Sequence, residues 1–309
     1  MRASCALAVA GTLLLLSANA WTQQSTLTPQ PMRIDKVKDG LYVVRGPFLP
    51  CSSRNGCEPG TVDDGVLHEP GDVAVRVTSE GVILIDDKFS HNVAGVLEQV
   101  KSVTTRPIRY LLNTHHHADH ASGNANILAM GIDIIAHRNI RENFIRNKQA
   151  GAPPIVFSDR AEVHLGGIEV RMLHIGRGHT NGDTVIHFPD LRTIHAGDLV
   201  IDGLPHIDYD NGGSFLQWIP TLKRMLEIDF DTVIPGHGDP MPRSYVVDRI
   251  QKMQTLAERM RELVRRRVPK DQLASQIKLD DLGWAKTVST NQFLTRVITR
   301  FHDEIAAAQ

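Results

Sequence analysis

A chain of 309 residues, 41% hydrophobic and 22% charged, has an ordinary globular composition and can bury one large core, or a core with an appendage. Its 34 basic and 35 acidic residues leave a formal net charge of -1, which excludes a general nucleic-acid footprint. The 15 histidines are many for this length, and some fall in loops where core packing would not place them.

In chain order, residues 1–20 read as a secretory signal. Arg2 gives a weak basic start, Ala6 to Leu16 is apolar, and Ala18-Asn19-Ala20 fits the small-x-small cleavage pattern. The apolar run is short for a membrane span, and no other stretch reaches 18 apolar residues. The expectation is cleavage after Ala20 and a soluble mature chain, periplasmic or secreted, with no stable membrane span; an uncleaved anchor is the alternative. Cys5 leaves with the signal. Cys51 and Cys57 remain as an even pair in an exported chain, which suggests a local disulfide closing a surface loop, or else two free thiols.

Strands are predicted at Ile34–Val37 and Leu41–Val44, then at Val73–Val77 and Val82–Asp86 across a Thr78–Gly81 turn. Residues 47–71 are rich in turn formers and could arch over a pocket. Asn92–Val103 is amphipathic and helical, and Ile108–Leu112 is a buried strand. Further helices are expected at 124–130, 139–148 and 215–228. Further strands are expected at 132–137, 163–165, 168–174, 184–188, 191–195 and 232–234. From Ser244, the apolar residues Val246, Val247, Ile250, Met253, Ala257, Met260 and Val264 recur at helical spacing and predict one long helix; 271–278 and 291–307 predict two more. The fold class is α/β, two sheets face to face with helices outside.

The strand at 108–112 delivers Thr114-His115-His116-His117-Ala118-Asp119-His120, four imidazoles and a carboxylate within six residues. Strand ends hold side chains rigidly over one point. Three later islands join it: His179 after Gly178, Asp198 after Gly197, and His237 between Gly236 and Gly238, where small neighbours leave room for a metal and a substrate. His115, His117, Asp119, His120, His179, Asp198 and His237 are seven nitrogen and oxygen donors. They suit two divalent ions sharing a carboxylate, zinc first, with iron or manganese as alternatives. Such a pair makes hydroxide available at neutral pH and polarises a carbonyl, so no serine or cysteine nucleophile is needed. His116 alternates with its neighbours and should point away, behind the ligands. Asn181 and Asp183 are expected to hydrogen-bond within the His179 loop or to ligand imidazoles. His206 and Tyr209, just after Asp198, are candidates for the pocket lip. His174 and His195 stand behind the site at most.

The set resembles the metallo-β-lactamase superfamily, whose His-x-His-x-Asp-His signature is read here as His115, His117, Asp119 and His120. A later histidine matches His179, a bridging acid Asp198 and a final histidine His237. The resemblance spans residues 34–240. It implies a four-layer αβ/βα sandwich with the metals at one edge, followed by a C-terminal helical extension over 241–309. It implies that His115, His117 and His179 hold one metal and Asp119, His120 and His237 the other, with Asp198 bridging. Asp198 is similar to the acid of glyoxalase II-type thioesterases and lactonases, whereas zinc β-lactamases with a full histidine first site commonly carry cysteine there. The expected function is that of an exported dinuclear metal-dependent hydrolase. A metal-bound hydroxide would attack a small ester, lactone or thioester carbonyl, and Asp119 would orient the nucleophile or relay a proton. The alternatives are a zinc β-lactamase and a non-catalytic periplasmic metal-binding accessory protein. The partner is a small molecule with a hydrolysable carbonyl; the oligomeric state is left open.

Overall fold

The computed structural model describes residues 28, 30–49, 68–284 and 293–308. The expected signal at 1–20 and the Cys51 and Cys57 pair lie outside the described residues.

Strands with apolar residues on both faces must be covered twice. The first sheet holds seven strands in sequence order: β1 (Arg33–Lys38), β2 (Leu41–Arg45), β3 (Val73–Val77), β4 (Val82–Ile85), β5 (Ile108–Leu112), β6 (Asp133–His137) and β7 (Ile155–Phe157). The first four pair antiparallel. From β4 onward the pairing is parallel, because helices make the crossovers. Those helices are α1 (Val93–Val103), α2 (Ala118–Ala121), α3 (Asn124–Ala129) and α4 (Arg138–Arg146). The second sheet follows, again in sequence order: β8 (Arg160–Leu165), β9 (Ile168–Leu173), β10 (Val185–Phe188), β11 (Thr193–His195), β12 (Thr232–Ile234) and β13 (Met241–Pro242). Only β11 and β12 pair parallel, with α5 (Phe215–Met225) between them.

Alternation along the strands builds the layers. Ala74, Ile83, Ile85 and Leu112 face Met172, Ile186, Phe188 and Ile234 between the sheets. Their neighbours Val73, Val75, Val82 and Leu84 turn outward onto Val93, Val96 and Val100 of α1. On the far side, Val185, Ile194 and Val233 meet α5, the long helix α6 (Arg243–Arg265) and a C-terminal helix, Ile298–Ala307. The result is the expected helix–sheet–sheet–helix sandwich, and the C-terminal helices share one continuous apolar cluster with the second sheet.

Several details differ from the sequence expectation. The buried stripe of α6 runs through Val246, Ile250, Met253, Leu256, Ala257, Met260 and Leu263, while Val247 is 42% exposed. The face that docks is chosen by where α5 and the C-terminal helix lie. The helix expected at 271–278 is a short turn, Lys270–Gln272, leading into α7 (Leu273–Gln276). In the stretch expected as one helix over 291–307, Phe293–Val297 forms a π-helical turn before the C-terminal helix. Strand β7, with Ile155 and Val156 exposed at the sheet edge, has no counterpart in the sequence reading. Among the described residues, no helix is long and apolar enough to cross a membrane.

Candidate metal centre

The segments after β4, β5, β9, β11 and β12 converge on one edge of the sandwich. Asp86, just past β4, accepts from the Thr114 amide at 2.8 Å and from its hydroxyl at 2.6 Å, which pins the chain leaving β5. Asn113 and Asn124 exchange side-chain amide hydrogen bonds of 3.1 and 2.9 Å beneath the same turn. The backbone stays extended to His117 and then enters α2. His115 and His117 therefore share a side, with ring centroids 4.9 Å apart. His116 stands behind His117: its Nδ1 accepts from Asn143 Nδ2 at 3.3 Å, and its Nε2 lies 3.6 Å from Asp208 Oδ2, the oxygen that also meets His117. The turn of α2 brings Asp119 and His120 round beside the pair.

The seven expected donors fall into two groups that share a carboxylate. The facing donor atoms of His115, His117, His179 and Asp198 all lie within 4.8 Å of one another, and so do those of Asp119, His120 and His237. In the first group, His117 Nδ1 and His179 Nε2 are 2.8 Å apart, and Asp198 Oδ2 is 3.4 Å from His179 Nε2 and 4.0 Å from His115 Nε2. In the second, Asp119 Oδ2 is 3.3 Å from His237 Nε2, which is 3.3 Å from His120 Nε2. Asp198 turns its other oxygen, Oδ1, to His120 at 3.1 Å and His237 at 3.5 Å.

The outward nitrogens decide what the inward ones can do. A backbone carbonyl only accepts, so His206 O, 2.6 Å from His179 Nδ1, and Glu69 O, 3.2 Å from His237 Nδ1, place the ring protons there. Carboxylates do the same for His117 Nε2 (Asp208 Oδ2, 2.8 Å) and His120 Nδ1 (Asp86 Oδ2, 3.0 Å). Four imidazoles thus turn their second nitrogens inward at one another. His115 Nε2 and Asp198 Oδ1 are also buried there with no hydrogen-bond partner. Nitrogens and carboxylate oxygens facing at such distances require positive charge between them, as protons or as metal, so this donor set fits divalent cations.

Without an ion, protons supply part of that positive charge: burial opposes it, yet Asp208 raises the His117 imidazole and Asp198 and Asp119 raise that of His120. Burial, with the neighbouring His117, pushes the His179 imidazole down to about 3. Burial also opposes a charge on His237, but Asp198 and Asp119 outweigh it and lift that imidazole to about 9. Burial disfavours the charges of Asp119 and Asp198 as well, yet His120 and His237 hold both carboxyls below the usual range. Both acids stay ionised.

Glycines make room. A Cβ on Gly236 would sit 1.9 Å from Asp198 Oδ1, and one on Gly71 would lie 2.2 Å from the His120 ring. The space at Gly236 is therefore taken by the shared carboxylate. Behind His237, Glu69 pairs with buried Arg45 at 2.7 Å and accepts from Gly238 N at 3.2 Å. Asp183 accepts from the amides of Gly178 (3.0 Å) and Thr180 (3.0 and 3.1 Å), bracketing His179. Asn181 instead joins α4, its Oδ1 accepting from Asn143 Nδ2 at 2.9 Å. His206 sets its ring 5.6 Å from His179 and 6.2 Å from His117, with Nδ1 buried and unpartnered. Tyr209 departs from the pocket expectation: its hydroxyl donates to Glu304 at 2.8 Å, in the C-terminal helix, and so is committed away from the centre. His174 stacks on His137 with centroids 3.9 Å apart, and His195 Nε2 bonds Asp72 O at 3.2 Å; neither touches the donor groups.

Sequence reasoning missed Asp86 and Asp208, the carboxylates behind His120 and His117. An acid closing an apolar strand was a usable signal for Asp86; nothing local marked Asp208.

Comparison with known proteins adds the following. The family model of the metallo-beta-lactamase superfamily matches residues 69–237. The 2,4-dinitroanisole O-demethylase subunit alpha of Nocardioides sp. (strain JS1661) is 28% identical over 182 residues, covering 57% of this chain and 54% of that protein. The hydroxyacylglutathione hydrolase of Methylococcus capsulatus is 29% identical over 134 residues, covering 43% of this chain and 45% of that protein. The chain thus spans about half the length of these curated relatives. A solved metallo-beta-lactamase from Pontibacter korlensis superposes with a TM-score of 0.62 at 18% identity, covering 72% of this chain and 99% of that one, and so shares the fold.

Proposed function

The chain belongs to the metallo-beta-lactamase superfamily, and on that premise we propose that it is an exported hydrolase of small carbonyl compounds that works with two divalent ions, zinc foremost. His115, His117 and His179 would hold one ion and Asp119, His120 and His237 the other, with Asp198 shared. When bound, such a pair supplies an activated water at neutral pH and positive charge opposite the developing oxyanion. The remaining work belongs to the chain. Asp119, ionised and one quarter exposed at the rim, would orient the attacking water or relay its proton. His206 would line the pocket lip beside His117 and His179. Asp86, Asp208, Glu69 O and His206 O keep the ligand rings in one orientation through turnover.

The observation that carries this reading is the set of imidazole nitrogens turned inward around a carboxylate that offers one oxygen to each group. An ester, lactone or thioester is the proposed substrate class. A carboxylate rather than a thiolate at position 198 supports it, and so does the hydroxyacylglutathione hydrolase among the relatives. Export to the periplasm or beyond rests on the leader pattern of residues 1–20, and the exported chain should begin at Trp21 on N-terminal sequencing.

The test is a parallel assay of zinc-loaded and chelated protein on a lactone series, a thioester and a chromogenic cephalosporin. Lactone or thioester turnover that chelation abolishes is expected. Cephalosporin turnover with inert lactones would replace the substrate class by β-lactams. Two bound ions with no turnover on any class would favour a metal-binding accessory protein.

A further inference from the structure

The loop between β11 and α5 aims two of the three imidazoles of the first group. The His206 carbonyl accepts the His179 Nδ1 proton at 2.6 Å, and Asp208 Oδ2 lies 2.8 Å from His117 Nε2. The Asp208 carboxylate is itself set by Asn211, whose backbone amide donates at 3.1 Å and whose side-chain amide donates at 2.5 Å.

The far end of this loop is held from a remote part of the sequence. Glu304, in the C-terminal helix, accepts from the Tyr209 hydroxyl at 2.8 Å, the Phe215 amide at 3.0 Å, the Leu216 amide at 3.3 Å and the Ser214 hydroxyl. Tyr209 is the residue after Asp208. Phe215 and Leu216 open α5, where amides lack partners inside the helix. Arg300, one turn earlier, pairs with Asp210 at 2.6 Å and lies 5.0 Å from the Tyr209 ring centroid.

We propose that Glu304 is a positioning residue for the first metal group: it fixes the 204–214 loop, and through that loop the directions of His117 and His179. The inference rests on the metal reading above and extends it beyond the family-matched stretch, which ends at residue 237. The chemistry of Glu304 is specific. All four partners donate, so a carboxylate satisfies them with both oxygens, whereas an amide must turn its own donor toward two of them. Its negative charge also suits the N-terminal end of α5.

The test uses the full chain and two readouts that do not depend on turnover. These are zinc affinity by chelator competition and the visible spectrum of the cobalt(II)-loaded protein. Outer partners of metal-bound histidines change affinity by about 10- to 100-fold. Glu304→Gln should therefore weaken one of the two zinc sites by about tenfold, leave the other unchanged, and alter the cobalt spectrum. Asp208→Asn should weaken the same site, and the double variant should fall short of the product of the two effects. Ile305→Val loosens the same buried helix face without removing a hydrogen bond, and should lower the melting temperature while leaving zinc affinity intact. Should Glu304→Gln fail to fold, Tyr209→Phe removes one of the four donors and should weaken the same site to a smaller degree.

The proposal is overturned if Glu304→Gln binds both ions like the wild type. It is equally overturned if Ile305→Val weakens zinc as much at the same loss of melting temperature. A wild type that holds no zinc at all would overturn the metal reading and this inference with it. A normal wild type beside an indifferent Glu304→Gln overturns the inference alone.

Discussion

Because a carbonyl oxygen only accepts, His206 O and Glu69 O each take an Nδ1 proton and leave His179 and His237 one way to face the centre, with Nε2 turned inward. The centre is therefore built as much by acceptors behind the rings as by the rings. Space is set with equal tightness. Gly236→Ala places a methyl 1.9 Å from Asp198 Oδ1, and the carboxylate must move out of its position between the two groups. Zinc affinity of that variant should fall by about tenfold or more in chelator competition; wild-type affinity would show that Asp198 is not the shared donor. The seven donors were legible in the sequence because they cluster just past a strand, as His115, His117, Asp119 and His120 do, or stand beside a glycine, as His179, Asp198 and His237 do. Asp86 and Asp208 were missed: they meet their histidines across 34 and 91 residues, and although an acid closing an apolar strand marks Asp86, its partner is not legible locally. Tyr209 misled for the same reason, as its hydroxyl is claimed by Glu304, 95 residues away.

At the level of elements, the end of β6 and the loop after β9 meet through two histidines. The His137 ring caps α4, with Nδ1 accepting from Asn139 N at 3.3 Å, while Nε2 donates to Ser158 O at 2.6 Å. It stacks on His174, whose Nδ1 donates to Asp183 O at 2.8 Å. Burial lowers the His137 imidazole to about 4, helped by His174 and Arg138 and opposed by Asp159. Burial likewise lowers His174, with Arg224 adding to it and Asp159 opposing. The unfolded chain takes up the His137 proton near 6.5, and the fold not until about 4. In that window the native state binds fewer protons, so stability present above 6.5 is lost as pH falls toward 4. His137→Asn keeps a capping residue and removes the titration. Its urea midpoint should fall less steeply than that of the wild type between those limits, and parallel curves would refute the role of the pair. Most elements were legible from apolar periodicity. The docking face of α6 was not, because Val247 and Leu256 both fit a helical stripe and only the position of α5 and the C-terminal helix separates them.

For the whole molecule, the order of strands and helices suggested two face-to-face sheets with helices outside, and the resemblance added the metal edge of a four-layer sandwich; apolar faces alone do not name their partners. The C-terminal helix shows the gap: its amphipathic pattern predicted a helix, but not that it would share a core with the second sheet. Phe301 is fully buried, 4.2 Å from the Phe215 ring centroid and 6.0 Å from that of Phe293. Phe301→Ala should therefore cost about 3–5 kcal/mol in denaturant unfolding, as expected for a large aromatic in a packed core. A loss under about 1 kcal/mol would mean that the helix is an appendage. The central claim, two divalent ions held by this edge of the sandwich, is tested most directly by elemental analysis of the full chain after zinc loading and removal of free metal. The account predicts two zinc ions per chain, both removed by chelation together with hydrolytic activity. A chain that retains its fold but keeps no zinc would contradict it.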